Sequence, residues 1–380
     1  MRQFFVGLVL FTLATLVHGQ FTMHTIWHQG LVRGYRQYIP STLPRSAKVP
    51  LVIALHGIGD TILQFSGGGL EYYSDTAHFL LVVPQALRDP RSGAATWNSG
   101  ATFQGMVLNG GVDDVGFIKA LIDTLSLQRN IDQDRIYICG FSMGGFMAYR
   151  LACELSDRVA AIASVAGDLG NGFSCRPSRA IPILDLHGTA DSAVGYAANF
   201  YGLSTTATLA LWSANNGCGR WPDTLHLPDL SNDGYTVDRI VWRNCNHEFG
   251  IEHFKVMNAG HVWLSHYNDI DYTKEIWRFF HQYSRTSGFV GIANQPPIVD
   301  FAFSPNPVLD RLAINFSLAQ SEQIRWRLCD LNGQVLLQGL EYGWVGPNVI
   351  ALDLEDLPAG LYALQIQGRR WIKQGRVMVE

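Results

Sequence analysis

Between residues 35 and 285 short, wholly apolar runs alternate with stretches of helical period. Runs over 50–55, 79–83, 135–139, 160–166 and 181–186 are mostly apolar and read as strands buried on both faces, and 252–257 supplies a later strand. Helices are predicted from Asp113-Asp114, with Phe117, Leu121 and Leu125 on one face, over 146–155, and over 272–283, with Ile276, Trp277 and Phe280 inward. Strands alternating with helices predict an α/β fold with a mostly parallel sheet covered by helices. The pattern then changes. Residues 288–298 hold Gly288, Gly291, Asn294 and Pro296-Pro297 and read as a linker, because Pro-Pro continues neither helix nor sheet. From residue 299 short alternating strands, such as 324–328 and 334–337 around the Asn332-Gly333 turn, predict a small antiparallel β-sandwich over 299–380.

The N-terminus differs from both patterns. Met1-Arg2 followed by the apolar run 4–17 has the form of a signal peptide over residues 1–19, too short to span a membrane comfortably. That leaves 20–287 as the α/β unit. A formal net charge of -4 spread without long runs of one sign gives no electrostatic footprint for nucleic acid. No later stretch reads as a stable membrane span. Export permits disulfides. Among the 6 cysteines, Cys218 and Cys245 bracket a polar, turn-rich segment that a covalent clip would close, and are the first candidate pair. Cys153 with Cys175 is the second.

The chemistry centres on Gly140-Phe-Ser-Met-Gly-Gly145, placed between a predicted strand and a predicted helix. A serine at such a turn is held in strained backbone geometry with its hydroxyl presented, and glycines flank it because side chains would collide there. This is the nucleophile elbow of an α/β-hydrolase, and it makes Ser142 the nucleophile candidate. A hydroxyl needs a base, which in this fold follows the last strand, and His261 stands there after Asn258-Ala-Gly260. His56 and His187 are rivals, each in a His-Gly step after a strand where the ring is expected to be packed. The carboxylate that orients the base falls between serine and histidine in chain order, and Asp191, just beyond the 181–186 strand, fits, with Asp168 as its rival. Developing oxyanion charge needs backbone N–H donors, expected from Met143 and from Gly57 and Ile58 in His56-Gly-Ile-Gly59. The Asp113-Asp114 pair reads as a helix cap, since no spaced His, Cys or further carboxylate completes a metal site. Acyl transfer of this kind calls on no metal and no organic cofactor.

Several segments together resemble the polyhydroxybutyrate depolymerase-like esterases, which include feruloyl and acetylxylan esterases of carbohydrate esterase family one. They are Leu51-Val-Ile-Ala-Leu-His-Gly57, Trp97-Asn98, Val112-Asp-Asp-Val-Gly-Phe117, the serine elbow, His187-Gly-Thr-Ala-Asp191, Asn216-Gly-Cys218 and Gly260-His-Val-Trp263. By matching position the resemblance implies a triad of Ser142, Asp191 and His261, and a disulfide where Cys218 and Cys245 lie. Two departures stand out: Leu264-Ser265 replaces the usual Pro-Gly, and Cys139 is unusual at its position. Residues 299–380 resemble a type IX secretion sorting domain, through Ser304-Pro-Asn-Pro307, Asp330-Leu-Asn-Gly333 and Leu357-Pro-Ala-Gly-Leu-Tyr362.

The expectation is a secreted or surface-attached serine esterase whose partners are an ester substrate and the type IX machinery. Candidate substrates are feruloyl or acetyl esters of plant polysaccharide, or a polyhydroxyalkanoate polyester, with Trp97 expected to stack on a sugar or phenolic ring. The competing expectations are a peptidase on the same fold and a non-catalytic carbohydrate-binding protein. For the C-terminal segment the competing reading is a sugar-binding module using Trp326, Trp344 and Trp371.

Overall fold

The computed structural model describes residues 19–65, 67–246, 249–286, 298–318, 321–330, 334–368 and 371–380. The expected signal peptide, nearly all of the 288–298 linker and the Asn332-Gly333 turn lie outside these residues. Chain contacts divide the protein into two units, Met1–Phe289 and Val290–Glu380.

The first unit opens with an antiparallel pair, β1 (Gln20–His28) and β2 (Leu31–Ile39). His24 and His28 are part of β1, the outermost strand of the sheet. The apolar run β3 (Val49–Leu55) is buried at every position, as are β4 (Leu80–Pro84), β8 (Ala161–Val165) and β9 (Ile183–Gly188). Between these lie α1 (Leu70–Ala77), the short pair β5 (Thr102–Phe103) and β6 (Met106–Val107), α2 (Asp114–Gln128), β7 (Ile131–Phe141) and α3 (Met143–Glu154). The unit continues through α4 (Thr205–Asn215), β10 (Asp223–His226), β11 (Thr236–Trp242), β12 (Ile251–Met257) and α5 (Tyr272–Phe280).

Ten strands form one sheet in the order β1-β2-β4-β3-β7-β8-β9-β12-β11-β10. The six strands from β4 to β12 in that order run parallel, whereas both edges are antiparallel. Alternate side chains of each central strand enter one of two cores. Leu51, Ile53, Ile136 and Ile138 meet Phe117, Leu121, Phe146 and Leu151 on one face. Val52, Ala54, Tyr137 and Leu184 meet Ile276, Phe279 and Phe280 on the other. Such a sheet needs helices on both faces, which is why its strands lack the polar alternation of a half-exposed sheet. The segment between Cys218 and Cys245, read as polar turns, also holds β10 and β11; its disulfide and the one joining Cys153 to Cys175 are both formed.

The second unit has two antiparallel sheets, β13-β14-β17 and β16-β15-β18-β19, built from β13 (Ile298–Ser304), β14 (Arg311–Leu318), β15 (Glu322–Cys329), β16 (Val335–Gly343), β17 (Gly346–Asp353), β18 (Gly360–Gln367) and β19 (Ile372–Val379). Leu312, Ile314, Phe316, Ile324, Leu328, Leu364 and Ile366 fill the core. Trp371 is buried in it with its indole N–H donated to Glu322, and Trp326 packs against Gly339, so these two rings serve packing, not sugar stacking. Among the described residues, no helix is long and apolar enough to cross a membrane.

A buried ion cluster ties the elements that bracket the His261 loop. Glu252 of β12 accepts from Arg239 of β11 at 2.5 and 2.8 Å and from Arg278 of α5. Burial alone would raise the Glu252 carboxyl, but the two guanidinium groups overcome it and hold the group below its ordinary value. Removing the charge takes a buried anion from two buried guanidinium groups, of which Arg278 keeps Glu275, so Glu252→Gln is expected to lower stability by about 3 kcal/mol. Urea unfolding monitored by tryptophan fluorescence reads this, and a loss under about 1 kcal/mol would contradict the role. Because the folded pKa is depressed, this contribution is present above the unfolded value and is lost as pH falls through the folded one.

Candidate active site

The turn from β7 to α3 allows little besides glycine around its serine. A Cβ on Gly140 would lie 2.1 Å from Gly144 O, one on Gly144 2.1 Å from Leu55 O, and one on Gly145 2.4 Å from Ser164 Oγ. Ser142 itself has φ 54 and ψ -119, a conformation costing a non-glycine residue of order 1–3 kcal/mol. The surroundings fix it: Ser142 N–H donates to Val165 O at 2.8 Å, and Ser142 O accepts from Gly145 and Phe146 at 2.8 and 3.1 Å. The helix begins at Met143, directly after the serine and earlier than the sequence pattern implied, so the Met143 N–H belongs to the first turn, whose donors have no partner within the helix.

His261 lies between β12 and α5, and its Nδ1–H donates to Asp191 Oδ2 at 2.7 Å. Asp191 follows β9, and its Oδ1 accepts from the N–H groups of Ala193 and Val194 at 2.9 and 2.8 Å. Burial would raise this carboxyl, but hydrogen bonds from His187, His261 and Val194 prevail and hold it well below the usual carboxylate range. It is therefore a fixed anion at neutral pH, suited to orient an imidazole. The rival Asp168 is fully buried and accepts from Thr205 and Asn199 instead.

His56 is also a packed ring. Gln85 and Ala86 donate to its Nε2 at 3.0 and 3.1 Å, leaving Nδ1–H to donate to Gly57 O at 2.7 Å, and burial lowers its pKa. It thereby shapes the loop carrying Gly57 and Ile58. A Cβ on Gly57 would come within 3.4 Å of Ser142 Cβ, so this loop runs against the serine, with Ile58 exposed.

Trp97 does not face a ligand. Its ring is wholly buried and packs 5.2 Å from the His56 ring, and its indole N–H donates to His56 O at 2.9 Å. The expectation of a stacking platform is overturned because the ring supports the glycine loop from beneath. Asp113 caps α2 by accepting from Gly116 N–H at 2.8 Å, and Asp114 pairs with buried Arg33 at 2.6 Å while accepting from Asn98 N–H at 2.7 Å.

A cleft of about 450 Å³ opens beside His261, lined by Asp60, Gln64, Phe65, Gly68, Phe141, Val262 and Trp263. Phe141 lies 4.9 Å from the His261 ring and 6.3 Å from Trp263, which in turn meets Phe65 edge-on at 6.0 Å. Trp263 is fixed by donating to Thr273 Oγ1 at 2.9 Å and by lying on Gly68, where a Cβ would fall 2.4 Å from the ring. Sequence reasoning assigned no role to these three aromatics. Phe141 adjoins Ser142 and Trp263 is next but one to His261, which is a legible signal; nothing marks Phe65. Leu264, at the departure from Pro-Gly, is buried and accepts from Tyr272 N–H at 3.1 Å, while Cys139 is a buried free thiol whose pKa burial pushes up.

Asp168, Asp185 and His187 form a buried group whose ligand-type atoms lie within 4.8 Å of one another. Several of these atoms are engaged with neighbours: Tyr149 donates to Asp185 Oδ1 at 2.9 Å, His253 Nδ1 lies 2.8 Å from Asp185 Oδ2, and Thr205 bridges Asp168 Oδ2 and His187 Nδ1, whereas Asp168 Oδ1 is buried with no hydrogen-bond partner.

Residues 42–201 match the phospholipase/carboxylesterase family, and residues 303–380 match the secretion system C-terminal sorting domain. A bifunctional acetylxylan esterase/xylanase of Neocallimastix patriciarum is 29% identical over 258 residues, covering 67% of this chain and 34% of the relative. Feruloyl esterase B of Piromyces equi is 31% identical over 192 residues, covering 48% of this chain and 33% of the relative. The chain thus spans about a third of the length of these two curated relatives. Among solved structures, an acetyl xylan esterase from Aspergillus awamori aligns with a TM-score of 0.50 at 15% identity, covering 68% of this chain and 99% of that one, a likeness of fold. Residues 42–201 are thus similar to the phospholipase/carboxylesterase family, the first unit has an α/β-hydrolase fold, and residues 303–380 are similar to secretion system C-terminal sorting domains.

Proposed function

We propose that this protein is a serine carboxylic-ester hydrolase that cleaves feruloyl or acetyl esters of plant polysaccharide through an acyl-enzyme. The observation that carries the reading is the 2.7 Å hydrogen bond from His261 Nδ1 to a carboxylate that stays ionised, beside a cleft and with Ser142 on its strained elbow. Ser142 Oγ attacks the ester carbonyl while His261 Nε2 takes its proton, and the oxyanion lies against the N–H of Met143 and the Gly57-Ile58 loop. The C–O bond then breaks, with His261 returning the proton to the leaving alcohol. Water, activated by the same imidazole, adds to the acyl-enzyme and releases the acid. Asp191 keeps Nδ1–H aimed at itself, which leaves Nε2 as the basic nitrogen of the ring.

The substrate class is supported by two observations of different kind. Its relatives include an acetylxylan esterase/xylanase and a feruloyl esterase, beside a poly(3-hydroxyalkanoate) depolymerase. The cleft is walled by Phe65, Phe141 and Trp263, with Asp60 and Gln64 as polar groups, a chemistry suited to a flat phenolic acid bearing hydroxyl groups. In this reading the sorting domain is the segment that the type IX machinery engages during export.

Wild type and Ser142→Ala are compared on methyl ferulate, p-nitrophenyl acetate, acetylated xylan and hydroxybutyrate oligomers, with released acids quantified. Wild type is expected to cleave ferulate or acetate esters, and the variant to lose about 10³-fold or more in kcat while remaining folded. Equal activity in both proteins overturns the mechanism, cleavage of hydroxybutyrate oligomers alone replaces the substrate class, and inertness of both favours a binding protein.

Trp263→Ala and Trp97→Phe separate the cleft from its support. Losing the Trp263 face should raise KM for methyl ferulate by about 10-fold, corresponding to roughly 1–2 kcal/mol of ring contact, with a smaller effect on p-nitrophenyl acetate. Losing the Trp97 N–H should lower kcat on both substrates with little change in KM, because the glycine loop shifts against the oxyanion. The reverse pattern would contradict both assignments.

A further inference from the structure

Behind Asp191 lies a set of buried titratable groups that ester cleavage leaves unused. His187, Asp185 and His253 stand on β9 and β12, and Asp168 follows β8; all are 1% exposed or less. His187 Nε2 lies 2.8 Å from Val194 O and 3.4 Å from Asp191 Oδ2, the same oxygen that accepts from His261. A carbonyl only accepts, so Nε2 carries a proton. On the other side, Nδ1 is 3.2 Å from Thr205 Oγ1, which is 3.2 Å from Asp168 Oδ2. The Asn199 amide donates to that Oδ2 at 3.3 Å, which marks it as an acceptor. With Asp168 ionised, the single Thr205 proton goes to it, Thr205 Oγ1 is left as acceptor, and Nδ1 donates. With both nitrogens donating, the ring is an imidazolium.

The surroundings agree in sign. Facing His187 are Asp191 from its own loop, Asp185 from β9, Asp168 from the end of β8, Thr205 from α4 and the Tyr196 ring at 5.8 Å. Asp185 also meets Tyr149 of α3 and His253 of β12; Tyr196 meets His253 at 2.9 Å, and Lys255 lies 5.9 Å over its ring. Burial opposes the charge on His187, but the hydrogen bond to Asp191 and the fields of Asp168 and Asp185 outweigh it and raise its pKa to about 9. Burial pushes the Asp168 carboxyl up, against the pull of His187. Asp185 favours protonation of both groups, but the ionised Asp191 lies 3.4 Å from the ring and not against Asp168, which places the shared proton on His187.

We propose that His187 is a positioning residue for ester cleavage: a buried imidazolium that shares Asp191 Oδ2 with His261, fixes the carboxylate, and offsets part of its pull on the His261 proton. The proposal rests on Asp191 and His261 being the orienting acid and the base. Without the cation, the full charge of Asp191 acts on His261, which then holds its proton to higher pH. The acid limb of the rate profile therefore moves up.

Two measurements on the full chain test this. Nitrogen-15 NMR of histidine-labelled wild type at pH 7 should give one solvent-protected ring protonated on both nitrogens, missing from His187→Gln; a neutral His187 ring overturns the proposal. In parallel, the pH dependence of kcat/KM for p-nitrophenyl acetate is recorded for wild type, His187→Gln, which keeps a donor but no charge, and Asp168→Asn. The acid limb should rise by about half to one pH unit in His187→Gln and by less in Asp168→Asn. An unmoved or lowered limb in a variant with native near-ultraviolet dichroism overturns the proposal. If His187→Gln does not fold, the wild-type spectrum and Asp168→Asn still decide. Should Ser142→Ala keep full activity, the ester-cleavage reading fails, whereas the NMR result still reports the charge on His187.

Discussion

A serine can be offered at the edge of a sheet buried on both faces only where strand turns into helix with no room for side chains, and that steric constraint governs the first unit. Gly140, Gly144 and Gly145 are needed because backbone or side-chain atoms occupy the space their Cβ atoms would take. Gly167, just after β8, obeys the same rule: a Cβ there would lie 2.5 Å from Ser142 O. The strain at Ser142 is sustained by Val165 O on one side and the start of α3 on the other, both set in apolar cores. Catalytic geometry and core packing are thus one structure: a larger residue at these glycines would displace the serine and the helix together.

Charge is handled differently from shape. The unit buries carboxylates at Asp168, Asp185, Asp191 and Glu252, and each is met by donors on neighbouring elements. Glu252 is compensated by arginines, which stay charged, and joins β11, β12 and α5 structurally. Asp191 is compensated by histidines, whose charge can change, and it is the one beside the cleft. The choice of partner separates a permanent staple from a site able to move protons.

Much of this was legible in the sequence because the relevant signals are local. Short, mostly apolar runs marked the parallel strands, and chain order after each strand marked Ser142, Asp191 and His261, the last two of which the structure joins by a hydrogen bond. What was misread depended on exposure, which local pattern does not encode. Trp97 looked like a platform and is a buried support. β1 and β10 were missed because edge strands with polar, exposed residues lack the apolar run that identifies central ones, and β11, next to the edge, because Asp238 and Arg239 interrupt its apolar residues. The aromatic cleft escaped because Phe65 and Trp263 meet only when α1 and α5 fold against the same face, although Trp263 stands close to His261 in the chain. His187 was rightly read as packed, but its charge could be argued only from the donors and acceptors around it.

The central claim is that Ser142, activated by His261, forms the covalent intermediate. Its most direct test is intact-mass and peptide-mapping spectrometry of the full chain after reaction with a p-nitrophenyl phosphonate ester. One phosphonyl group per chain located on Ser142, with labelling slowed by orders of magnitude in His261→Ala, is the predicted result. An adduct on another residue, or equally fast labelling without His261, would contradict it.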